Sequence, residues 1–188
     1  MDLNMLLGAA GAAAVIAYLI LMPRNAAGNI QKTKDEVMKS LSRLPEDQYT
    51  IFSAVSLLDG EERVTADYIV ISEHGIIVVT VEKPGGLIAG EDEMKEWYNI
   101  YRKKKYPFPN PVLRSSACVE AAAELLGTDK SKIKPVIVFS TNAKVKATSS
   151  TMLTNTLYLE SSIRKMTGTV FTADEKERLS DVMLNRKL

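Results

Sequence analysis

Residues 66–81 read Ala66-Asp67-Tyr68-Ile69-Val70-Ile71-Ser72-Glu73-His74-Gly75-Ile76-Ile77-Val78-Val79-Thr80-Val81, and their reading decides the fold. Ala66–Ser72 is rich in β-branched and aromatic residues, which predicts a strand. Glu73-His74-Gly75 is a tight turn. Ile76–Val81 is an unbroken apolar run, the pattern of a central strand covered on both faces.

The flanks supply what covers it. Upstream, Ile30, Val37, Met38, Leu41 and Leu44 recur on one helical face, and Pro45 ends the run. Tyr49–Leu58 predicts a strand, closed by the turn Asp59-Gly60. Downstream, Pro84-Gly85-Gly86 breaks the chain, and Leu87–Ala89 and Trp97–Tyr101 read as short strands around the acidic turn Glu91-Asp92-Glu93. Val112 to Leu126 predicts a helix with Gly127 as its C-cap. Pro135–Phe139 is another buried strand. Ser140–Thr156 reads as a flexible loop without a role, Thr156–Leu159 as a short strand leading into a helix through Met166, and Val170-Phe171 as a last strand. Thr172-Ala173-Asp174-Glu175 is a capping box that opens a final helix. The fold class is therefore α/β, a mixed sheet flanked by helices.

The 188 residues carry 24 basic and 23 acidic side chains, for a formal charge of +1. That balance, with 46% hydrophobic residues, excludes a disordered chain and a bulk basic nucleic-acid binder. One cysteine, Cys118, excludes a disulfide framework and a multi-thiolate zinc site, and one histidine, His74, excludes a His-His metal motif.

Met5–Met22 is uncharged, and at about 1.5 Å per residue it spans roughly the hydrocarbon core of a bilayer. No basic residue precedes it, as a signal peptide would require, whereas Arg24, Lys32 and Lys34 follow. Residues 1–23 are expected to be a single transmembrane anchor that meets the bilayer through residues 3–22. Residues 24–29 are a linker, and 30–188 a domain on the cytoplasmic side.

Ala66–Ser72, Gly75–Val79, Gly86, Gly90, Trp97, Asn110-Pro111-Val112 and Pro135–Ser140, in that order and spacing, resemble the nuclease-related domain (NERD) family. This is a branch of the PD-(D/E)xK restriction-endonuclease-like superfamily, and by element order the resemblance runs from about residue 30 to 185. It implies a restriction-endonuclease-like mixed sheet. It also implies a site in which an aspartate on one strand and an E-x-K pair on the next hold a divalent metal and steer water onto a phosphodiester. In an E-x-K pair the strand alternation puts acid and lysine on one face.

Under this resemblance Asp67 stands where the family aspartate stands, but Thr80-Val81-Glu82 occupies E-x-K, so the acid is Thr80 and the lysine is Glu82. Arg114 falls where the family carries glutamine. The family's early acid, before its first helix, falls near Thr33-Lys34. A one-residue slip onto Lys83 would put Val81 at the acid and reverse the strand's faces. The expectation is a pocket with too much negative charge and no cation. Asp67 and Glu82 would be the residual metal ligands, Mg²⁺ would bind only if an altered site survives, and otherwise no cofactor is expected. The expected function is a non-catalytic interaction or scaffold module with an unidentified protein partner. The alternatives are a Mg-dependent nuclease built on Asp67 and Glu82, and a membrane-tethered nucleic-acid binder.

Trp97–Phe108 interleaves aromatic rings with Arg102, Lys103, Lys104 and Lys105. These cations, with Trp97 and Tyr101, are the candidates for contact with nucleic acid or lipid headgroups, against the plainer reading of a solvated hairpin tip.

Overall fold

The computed structural model describes residues 29–185. The expected anchor, residues 1–23, and the linker up to residue 28 lie outside the described residues. Among the described residues no helix is long and apolar enough to cross a membrane.

The chain runs α1 (Ile30–Leu41), β1 (Tyr49–Asp59), β2 (Glu62–Ser72), β3 (Gly75–Val81), β4 (Gly86–Ala89), β5 (Glu96–Tyr101), β6 (Lys104–Pro109), α2 (Pro111–Leu126), a 3₁₀ turn (Lys130–Lys132), β7 (Ile133–Phe139), β8 (Ala143–Val145), β9 (Met152–Asn155), α3 (Leu159–Arg164) and α4 (Ala173–Asn185). The strands form two sheets, β1-β2-β3-β7-β9 and β6-β5-β4-β8. In the first, β1, β2 and β3 are antiparallel, whereas β3, β7 and β9 run parallel. The architecture is mixed α/β, with two sheets and flanking helices.

The alternation of β2 and β3 divides the core. Ile69, Ile71, Ile76 and Val78 pack under α2 and α4, against Cys118, Ala122, Leu126 and Leu179. Tyr68, Val70, Ile77 and Val79 face the other way, against Val37 and Leu41 of α1 and Leu159 and Ile163 of α3. Every residue of β3 is buried, as its continuous apolar run requires. The end of β7 supplies Ile137 and Phe139 to a third cluster beneath the second sheet, with Ile88, Trp97 and Phe108.

Local chemistry sets the boundaries. Asn29 caps α1 by accepting from the Lys32 N–H, and Asn110 caps α2 through Val112 N–H with Pro111 in the first turn. Gly127 closes α2 in the left-handed region, at φ 57°. The Thr172–Glu175 capping box is reciprocal, at 2.8 and 3.2 Å.

Three expectations are corrected. Residues 140–156 are not a structureless loop: they contain β8 and β9, which pair in parallel with β4 and β7. The strand expected at Thr156–Leu159 lies earlier, at Met152–Asn155. Val170-Phe171 forms no strand; both N–H groups donate to the Glu73 carbonyl, tying the chain to the β2–β3 turn. Segments of three or four residues with few apolar side chains leave little hydrophobic periodicity to read.

Strand β6 also lay unread, and its partner β5 reaches it through a two-residue turn. Arg102 and Lys103 both take positive φ, 47° and 66°. That geometry suits a hairpin, yet Asn-Gly is the pair that adopts it without strain. Changing Arg102→Asn together with Lys103→Gly should raise stability by about 1 kcal/mol. Urea unfolding is the check, and no gain would mean the turn is unstrained.

Candidate functional site

Two interruptions of the sheet converge on Asp67. Pairing of β2 with β3 stops at Tyr68–Val79. Pairing of β1 with β2 joins Ser53 to Tyr68 and Val55 to Ala66 but skips the step between, where Ala54 takes a positive φ of 50°. Asp67 thus sits where β2 is released on both sides, and its carboxylate reaches the neighbouring strand instead. Oδ2 accepts from the Val81 N–H at 2.7 Å, replacing the ladder bond lost where β2 and β3 part.

Two cations close on this carboxylate. Lys34 Nζ, from α1, lies 2.6 Å from Oδ1, and Arg114 Nη2, from α2, lies 3.2 Å from Oδ2. The same Arg114 nitrogen is 3.1 Å from Glu82 Oε1 and 3.0 Å from the Val81 carbonyl. Tyr68 holds α1 in place by donating its hydroxyl to the Lys34 carbonyl. Asp67 is 3% exposed at its side chain, while Lys34 and Arg114 are 37% and 41% exposed. The carboxylate is the buried base of the cluster and the cations are its lid.

The expectation of a negative pocket without a cation is therefore corrected. Two carboxylates, Asp67 and Glu82, meet two cations, Lys34 and Arg114. Thr80 has its hydroxyl buried and without a hydrogen-bond partner among the described residues. Among the described residues no group of three or more His, Cys, Asp or Glu is arranged to hold a metal ion. Asp67 and Glu82 do come together as the sequence suggested, but with a guanidinium between them.

Lys34 was not singled out from sequence as a site residue. The signal was available: it falls near a position where the resemblance expects an acid, and Arg114 falls where it expects a neutral amide. Two cations therefore meet on one aspartate.

Burial raises the pKa of Glu82 to about 6; Arg114 opposes the rise by charge and hydrogen bond, and Asp67 adds to it. Burial also works against the charge of Arg114, but Glu82 and Asp67 outweigh it and hold the guanidinium above its ordinary value. Because Glu82 binds its proton more tightly when folded, its contribution is fully present below its ordinary 4.5 and is lost as pH rises through 6. The loss is about 2 kcal/mol between those limits. Glu82→Gln keeps an acceptor for Arg114 and should flatten that part of a stability–pH curve, measured by urea unfolding from pH 4 to 8. An unchanged curve would place the carboxyl in an ordinary environment.

The hairpin candidates separate by strand parity. Trp97 is fully buried, with Nε1 donating to the Glu91 carbonyl at 2.9 Å. It therefore offers no ring face to a ligand, which corrects its place among the candidates. Tyr101 is half-buried against the third core cluster, with Arg102 over its ring at 5.4 Å. Arg102, Lys103, Lys104 and Lys105 are all exposed.

The nuclease-related domain (NERD) family model matches residues 30–140, more than half of the chain. The chain belongs to the nuclease-related domain family. No curated protein and no solved structure matches it. The matched span of this NERD protein begins with α1 and ends just after β7, so it contains Lys34, Asp67, Glu82 and Arg114. Strands β8 and β9 and helices α3 and α4 lie beyond it.

Proposed function

We propose that this NERD chain is a membrane-anchored, catalytically silent member of a nuclease-related family, working as an interaction or scaffold module. One observation carries the reading: the Arg114 guanidinium lies within hydrogen-bond distance of both Asp67 and Glu82. A divalent ion held by these carboxylates would meet a fixed positive charge at contact distance. Lys34 adds a second positive charge on Asp67. The chain has in effect exchanged one dication for two side-chain cations, so the buried carboxylate is neutralised without a metal. Phosphodiester hydrolysis needs an electrophile to polarise phosphate and a means of activating water, and a permanently protonated guanidinium provides no metal-bound hydroxide. The restriction-endonuclease-like relationship implied by the sequence fits the parallel β3–β7 pair with helices on both faces.

Anchoring rests on the uncharged run Met5–Met22 and the basic residues that follow it. The domain would then stand on the cytoplasmic side, with partners recruited to the membrane surface.

A second reading has its own support. Lys34 brings an ammonium to Asp67 from α1, in place of the lysine missing from β3. An altered Mg-dependent nuclease would use Asp67 and Glu82 as ligands after Arg114 swings away. Incubation of the chain with single- and double-stranded DNA and RNA in Mg²⁺ or Mn²⁺ separates the readings. The silent module leaves them intact. Metal-dependent cleavage abolished by Lys34→Met or Glu82→Gln would establish the nuclease.

A further inference from the structure

The four-stranded sheet has one face turned to the core and one to solvent. Odd positions of β5, Trp97 and Asn99, are fully buried, while Tyr98 and Ile100 are partly exposed on the other face. On β6, Tyr106 and Phe108 join the inner cluster, so Lys105 and Pro107 point outward. On β8 and just beyond it, Val145 and Ala147 point inward, so Lys144 and Lys146 point outward and are exposed.

Register turns these into rows. Lys105 pairs with Ile100, Ile100 with Leu87 and Leu87 with Lys144. The next row runs Pro107, Tyr98 and Ala89. Lys146 extends it, since its N–H bonds the Ile88 carbonyl. Both rows have half-exposed, largely apolar centres; the first has a lysine at each margin and the second has Lys146 at one. Arg102, Lys103 and Lys104 crown the hairpin at one end, whereas Glu91, Glu93 and Glu96 gather at the other. The face is polarised, with its basic end at a turn whose two residues, Arg102 and Lys103, accept left-handed backbone geometry.

We infer that the basic end of this sheet face docks on an anionic lipid surface, with Arg102, Lys103, Lys105 and Lys144 at the headgroups and Leu87 and Ile100 between them. Parity argues against a single-stranded nucleic acid as occupant. Stacking needs several free rings in series, but Trp97, Phe108, Tyr101 and Tyr106 all belong to the inner side, which leaves Tyr98 alone outside. An aliphatic centre edged by lysines matches the boundary between headgroups and acyl chains. The inference rests on the anchored reading above. On that reading seven residues, 23–29, separate the bilayer from α1 and can span at most about 25 Å, so the face needs only weak affinity to be occupied.

The test is lysine acetylation footprinting, read by mass spectrometry, on the whole chain in nanodiscs of phosphatidylcholine alone or with one third phosphatidylserine. Lys103, Lys105 and Lys144 should react about fivefold more slowly in the anionic discs. Lys95, at the acidic end, and Lys165, on another face, should react equally in both. High salt should remove the difference. The double change Lys103→Glu and Lys105→Glu should abolish the protection of Lys144 with melting unchanged, since both altered side chains are exposed.

Equal rates in the two discs would overturn the inference, as would protection by a short oligonucleotide in neutral discs without protection by phosphatidylserine. An alkaline carbonate wash of neutral vesicles tests the anchor separately. A chain retained there but unprotected by anionic lipid keeps its anchor and loses the docking face. A chain washed off but protected by anionic lipid shows the opposite.

Discussion

Asp67→Ala should destabilise the domain by about 3 kcal/mol, although it removes the residue that a nuclease would use for chemistry. The carboxylate is buried, accepts the Val81 N–H, and neutralises Lys34 and Arg114. Alanine would leave a main-chain donor without its partner where β2 and β3 part, and strip the shared anion from two side chains. Both cations are more than a third exposed, so water takes up part of the loss, and the cost stays at the low end for a broken buried pair. Catalytic carboxylates in metal sites often behave oppositely, because removing one relieves repulsion between like charges. Urea unfolding with an unchanged m-value measures the effect. A neutral or stabilising change would mean that Asp67 is held for chemistry rather than for structure.

Gly90→Ala should cost 3 kcal/mol or more, by roughly the upper range for overpacking a tight site. A Cβ at Gly90 would stand 2.3 Å from Trp97 Cγ, 2.4 Å from Cδ1 and 2.6 Å from Cδ2. The indole cannot retreat easily. It is fully buried, its N–H is committed to the Glu91 carbonyl, and its ring meets Phe108 edge-on at 6.5 Å. The clash is with the root of a large, rigid ring, and the ring supports the whole second sheet. Trp97 is the chain's single tryptophan, so intrinsic fluorescence reports the site directly. A red-shifted spectrum and a lower melting temperature are expected. An unperturbed spectrum with full stability would mean that the second sheet yields around Trp97.

The layers around β2 and β3 were legible because burial leaves a strong mark on composition. A seven-residue strand with both faces covered must be apolar throughout, and Gly75–Val81 nearly is. Asn110-Pro111 and Gly127 punctuate α2 for local reasons that need no tertiary knowledge. Strands β6, β8 and β9 were not legible. Lys104–Pro109 contains two prolines and two lysines, and pairs as an edge strand, where such residues are tolerated.

The site was half legible. The resemblance grouped Asp67 with Glu82, and in the structure both carboxylates contact Arg114. What fills the space between them came from helices whose approach no local pattern fixes. Arg114 is separated from Asp67 by 47 residues, and Lys34 by 33 on the other side, so their meeting is a property of the packed layers. A net charge judged from the strands alone omits side chains delivered from above and below the sheet.

Electron paramagnetic resonance of Mn²⁺ titrated into the 188-residue chain reports most directly on whether the guanidinium and ammonium have taken the metal's place. With Lys34 and Arg114 seated on Asp67, the six-line signal of free Mn²⁺ should keep its full amplitude at metal concentrations up to about 1 mM, a range in which even weak carboxylate sites fill. Loss of that signal at one Mn²⁺ per chain, restored by Glu82→Gln, would show the carboxylates gripping a dication and would contradict the account.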